Sequence, residues 1–194
     1  MRSEPWTPKT MARRLLSDVS GLALVLIFSV QLLAAERCQQ ASVHNKRLGV
    51  EITDPRVISA TVAVVEATDL KTPIVLCELH MPYINATVDH AGRFYLIGLT
   101  KTLIQRTTDA ELRAIIGHEI AHIVLGHRSP MLELTHHRTA KSEQKADELA
   151  AHWFGKEPMV SVLNKLRDDA ARLEPARLRE QANEEIGARV KALQ

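Results

Sequence analysis

The stretch Thr108–Gly126, TDAELRAIIGHEIAHIVLG, decides how this chain reads. Thr108 and Glu111 stand three apart ahead of an apolar run, the signature of a capping box that opens a helix. Leu112, Ile115, Ile116, Ile120 and Ile123 then recur at helical spacing, and Gly126 supplies a stop. Within that helix His118 and His122 are four residues apart. Four residues turn a helix by about 400°, so both imidazoles emerge on one face, one turn apart. Two ligands of one tetrahedral zinc need that arrangement. Glu119 is rotated by about 100° from His118, close enough to hold a zinc-bound water and take its proton. The blander reading is a helix with two hydrogen-bonded or solvated histidines. Against it, this is the most apolar helix of the chain, where three polar groups are costly without a purpose.

A third protein ligand defines the type of centre. One zinc pattern places a third histidine six residues after His122, but Arg128 stands there and excludes it. Another takes a carboxylate from a following helix, and Glu143 opens such a helix 21 residues after His122. Asp147 lies one turn further on the same face. From there it can accept the spare N–H of a ligand histidine and fix its tautomer. A solvated acidic face is the alternative for both. Among the other histidines, His127 follows Gly126 and reads as a cap or dipole partner. His136 and His137 sit in a loop and read as solvated. His152 is kept as a candidate to face the cleft and support an oxyanion.

Outward from the motif, the element order is a short sheet followed by helices. Ala60–Ala67 (ATVAVVEA), Ile74–Leu79 and Arg93–Gly98 read as strands, the second bounded by Pro73 and Pro82, and the third preceded by a turn at His90–Gly92. Residues 40–55 read as a polar lead-in. Helices are predicted to about Arg106, over 108–126, over 142–154, between Pro158 and Pro175, and over 176–192. The expected class is α+β, a small antiparallel or mixed sheet packed on a helical core. The strand 93–98 is taken as the edge that pairs with an extended substrate. No internal repeat or low-complexity tract is evident.

Composition removes some partners. With 194 residues, one domain is expected beyond the N-terminus, covering 38–194. The net charge of +2 and the 4% aromatic content argue against nucleic acid, because the basic residues are scattered and few rings could stack on bases. Arg13-Arg14 precede an uncharged run, Val19–Ala35, that ends in Ala34-Ala35 before Glu36-Arg37. Residues 1–37 therefore read as a secretory signal or an N-terminal membrane anchor through 19–35. The small-residue cleavage pattern is imperfect at Leu32-Leu33, Met11 is an alternative start, and a buried core helix is the competing reading. Either export reading places the rest outside the cytoplasm. Cys38 and Cys77 are the only cysteines, and an oxidising compartment would allow them to pair. Without a CxxC, a cysteine zinc site is excluded.

These segments carry a resemblance. Asn85-Ala86, Phe94–Leu103, Ala110-Glu111-Leu112, Gly117–His122 and Gly126-His127, followed by Glu143-Gln-Lys-Ala-Asp147 and Ala150, resemble the gluzincin metallopeptidases related to HtpX and the CAAX prenyl protease. The similarity spans roughly 60–165 and implies a minimal gluzincin of the small, exported, single-domain kind. It implies one zinc per chain on His118, His122 and Glu143, with Glu119 as general base and Asp147 behind the ligands. It also implies a zinc metalloendopeptidase acting on polypeptides, among them misfolded or membrane-associated proteins of the envelope. Two departures stand out. Lys145 replaces the middle glutamate of the second segment. Arg189 resembles a C-terminal family arginine, but Asn183 sits where the accompanying histidine is expected, which leaves the residue that stabilises the transition state unassigned. An exported zinc chaperone or adaptor with little activity is the rival, and its expected sign, a replaced Glu119, is absent. A membrane-anchored structural protein without metal is the third reading.

Overall fold

The computed structural model describes Cys38 and residues 48–127, 140–172 and 175–194. The signal or anchor segment and the pair His136-His137 lie outside the described residues. Along the chain come β1 (Leu48–Glu51), α1 (Pro55–Thr68), β2 (Ile74–Leu79), β3 (Ala86–Ala91), β4 (Phe94–Thr100) and α2 (Lys101–Arg106). The helices α3 (Asp109–Val124), α4 (Ala140–Phe154), α5 (Lys156–Ala170) and α6 (Ala176–Leu193) follow. The fold is α+β, mostly helical, with a four-stranded mixed sheet.

Ala60–Ala67 is helix, not strand. Asp54 caps α1 by accepting the Arg56 N–H at 2.8 Å, and Pro55 occupies the first turn, where its missing N–H costs nothing. Val57, Ala60, Thr61 and Val64 then fall on one buried face at helical spacing. Thr61 satisfies its hydroxyl on the Val57 carbonyl, so a β-branched run is carried without an orphan polar group. Packing of that face outweighs the β-preference of its residues.

The sheet order is β1-β2-β4-β3, with β2 parallel to β4 and the other pairs antiparallel. The strand read at 93–98, β4, is therefore internal and cannot pair with a substrate. Its last five residues are all buried, as expected of a strand flanked on both sides. The edge on this side of the sheet is β3, joined to β4 by a tight turn in which Gly92 takes φ +65°.

One core lies between the sheet and the helices: Ile97 and Leu99 of β4 meet Val57 and Val64 of α1, Leu112, Ile116 and Ile120 of α3, and Met159 and Leu163 of α5. Val75, Cys77, Leu79 and Leu96 point to the other sheet face, where Cys38 packs and is disulfide-bonded to Cys77, with Cα atoms 5.7 Å apart. Among the described residues no helix is long and apolar enough to cross a membrane.

Candidate metal centre

The capping box forms as expected. The Thr108 hydroxyl accepts the Glu111 N–H, and Glu111 accepts the Thr108 N–H at 2.7 Å. Glu111 is also fixed by Ser161 and Lys165 of α5, which ties the start of the motif helix to the core. Burial alone would raise its pKa, but the bonds from Lys165, Ser161 and Thr108 prevail and hold it at about 2.

Further along α3, Gly117 lets α4 come close. A Cβ there would lie 2.8 Å from the Phe154 ring and 3.7 Å from the Ala150 Cβ. With Gly117 against Ala150 and Phe154, and His118 against Glu143 and Asp147, the two helices run antiparallel. His118, Glu119 and His122 are consequently buried, at 3%, 2% and 0% exposure.

The three expected ligands converge. His118 Nε2 lies 3.1 Å from His122 Nε2 and 3.3 Å from Glu143 Oε2, while His122 Nε2 lies 3.4 Å from Glu143 Oε1. Donors bound to one tetrahedral zinc at ordinary lengths stand about 3.3 Å from one another, so these separations fit that ion. The donor chemistry fits as well, two imidazoles and one carboxylate being a common zinc set. Among the described residues His118, His122 and Glu143 form the one cluster of this kind.

Both ring nitrogens that face away from this point have partners. His118 Nδ1 is 2.8 Å from Asp147 Oδ1, a close charge contact that lacks the alignment of a full hydrogen bond. His122 Nδ1 is 2.9 Å from His127 Nδ1. Reading His127 as a cap or dipole partner missed this contact, which depends on how the chain turns after Val124. Arg189 of α6 forks onto Asp147 and reaches Glu143 Oε2 at 3.2 Å.

These charges set one another's ionisation. Burial would lower the His118 pKa, yet its contacts with Asp147 and Glu143 dominate and lift it to about 9. Burial would raise Glu143 and Asp147, but positive neighbours hold both below the usual carboxylate range, His118 chiefly for Glu143 and Arg189 chiefly for Asp147. Burial would likewise lower Arg189, and its bond to Asp147 raises it instead.

His118, Glu119 and Glu143 line an open cleft of about 680 Å³. Leu166, Leu178 and Ile186 add apolar lining, and the segment leading into β3, Tyr83–Thr87, also borders it. Arg189 lines this cleft and His152 does not. His152 is exposed on α4, nine residues and about 180° around the helix from Glu143, so its expected place at the cleft is not met. Asn183 also lies outside the lining, and its side-chain oxygen is buried without a hydrogen bond among the described residues. The residues that α6 presents to the cleft include Gln181, Glu185 and Arg189, spaced four apart.

A buried histidine pair joined by a carboxylate from the next helix defines a candidate metal centre of the metallopeptidase type. The model of Peptidase family M48 matches residues 51–140, and the chain resembles that family. The matched region contains His118, Glu119 and His122 and stops three residues before Glu143. No curated protein matches the chain. The resemblance and the three-residue cluster together point to a metallopeptidase.

Proposed function

We propose that this protein is a zinc-dependent endopeptidase that hydrolyses peptide bonds of polypeptide substrates. The observation that carries the reading is the convergence of His118, His122 and Glu143 at 3.1–3.4 Å, with Glu119 beside them on the cleft wall. One zinc per chain, held by these three side chains, would supply Lewis acidity that acidifies water and polarises a carbonyl.

The chain's own residues supply the rest. Glu119 accepts the proton of the attacking water on its carboxylate and returns it to the leaving amine. Asp147 holds His118 with its Nδ1 protonated, leaving Nε2 free to bind the ion. Arg189 holds Asp147 and Glu143 in place from α6. The edge strand β3 offers backbone groups to an extended substrate, since the segment Tyr83–Thr87 borders the cleft.

We place the protein outside the cytoplasm, soluble after signal cleavage or tethered through residues 19–35. The signal-like N-terminus supports this, and so does the Cys38–Cys77 disulfide, which an oxidising compartment permits. Misfolded or membrane-associated envelope proteins are the substrates suggested by family resemblance.

The test is casein cleavage by zinc-loaded wild type and Glu119→Gln, with zinc content measured on both. Cleavage by wild type and its loss in a Glu119→Gln protein that still holds zinc supports the peptidase. Zinc in both proteins with cleavage by neither, over varied substrates, favours a binding protein that uses the same fold.

A further inference from the structure

We propose that His127 is a positioning residue for the metal centre, holding His122 in the tautomer and orientation that zinc requires. This rests on the zinc reading above. The His127 N–H donates to the His122 carbonyl at 2.9 Å and the Gly126 N–H to the Ile123 carbonyl at 3.1 Å, while Gly126 takes φ +66°. This pair of bonds is a Schellman motif, in which the left-handed residue reverses the chain over the last turn of the helix. The reversal carries the His127 ring back onto His122, with ring centroids 5.0 Å apart and the two Nδ1 atoms at 2.9 Å.

His122 therefore uses its two nitrogens in different ways. Nε2 points toward His118 and Glu143, and Nδ1 toward His127. An imidazole that gives its Nε2 lone pair to an ion carries its proton on Nδ1, and that N–H needs an acceptor when the ring is fully buried, as His122 is. Nδ1 of neutral His127 is such an acceptor. His118 meets the same need with Asp147. The two ligand histidines are thus backed differently, one by a carboxylate from the neighbouring helix and one by an imidazole from the end of their own.

The test measures zinc affinity of the full chain by competition with a chromogenic chelator, for wild type and three variants. His127→Asn keeps an acceptor oxygen at the Nδ1 position, His127→Gln moves it to the Nε2 position, and His127→Leu removes it. The Leu and Gln variants are expected to bind zinc about 10–100-fold more weakly, with Asn within about threefold of wild type. If the Leu variant does not fold, the Asn–Gln comparison alone still decides. Equal affinity in all variants that fold, or an Asn variant as weak as Gln, would overturn the role of His127 while leaving the metal centre standing. A wild type that binds no zinc would overturn both.

Discussion

Arg189, near the end of α6, forks onto Asp147, with Nε to Oδ2 at 2.6 Å and Nη2 to Oδ1 at 2.8 Å. Asp147 is fully buried and Arg189 is 11% exposed at the side chain. A planar guanidinium matched to a carboxylate in this way fixes both orientation and distance. Because Asp147 also backs His118, the last helix is coupled to the candidate metal centre through one side chain.

Removing that side chain leaves a buried carboxylate without its main partner. Arg189→Met is expected to cost about 3 kcal/mol of stability or more, because breaking one side of a buried pair leaves its charge uncompensated. Urea unfolding of wild type and variant measures this. A change under about 1 kcal/mol would mean that water reaches Asp147 more easily than its burial indicates.

Gly126→Ala separates backbone strain from crowding. Among the described residues nothing lies within 4 Å of a Cβ added there, so the cost is conformational and comes from the positive φ. A loss of about 1 kcal/mol is expected. Thermal unfolding reads it, and an unchanged Tm would show that the α3 end tolerates another conformation.

How much of this was legible in the sequence varies with the range of the interaction. His118, Glu119 and His122 lie within five residues on one helix, and the Thr108–Glu111 box that starts that helix is equally local, so simple periodicity exposes both. β2 was bounded correctly by its prolines. Glu143 and Asp147 share a helix face by their own spacing, but their approach to the histidines depends on how a second helix packs. The valines of Ala60–Ala67 suit a strand, while the helix start signal, Asp54-Pro55, lies upstream of that run. β1 and β3 went unread. The first is four residues long, and the second, ATVDHA, is a half-exposed edge without a clear alternation. Strand order is a long-range property, so nothing local in Phe94–Thr100 tells an internal strand from an edge. The contacts of Arg189 with Asp147, 42 residues apart, and of His127 with His122, through a backbone reversal, exist only once the chain is folded.

Glu111 offers a pH signature away from the candidate metal centre. Its folded pKa of about 2 lies below the ordinary value, so its contribution is complete above about pH 5 and is lost as pH falls toward 2. The stability difference between wild type and Glu111→Gln should therefore narrow as pH is lowered from 6 to 3. Urea unfolding across that range checks it, and a constant difference would contradict the account.

The Cys38–Cys77 bond closes a loop between residues 39 apart in sequence. Chain-entropy arguments give about 3–4 kcal/mol for a loop of that size. The double variant Cys38→Ser, Cys77→Ser should unfold at correspondingly lower urea. Equal midpoints for the two proteins would show that the bond adds nothing to the fold.

Zinc content tests the central claim most directly. After dialysis against buffer with low free zinc, the metal per chain is measured for wild type and for Glu143→Ala. One zinc is expected in wild type and far less than one in the variant, which has lost one of three candidate donors. A wild type without zinc, or a Glu143→Ala protein that keeps its full complement, would contradict the claim.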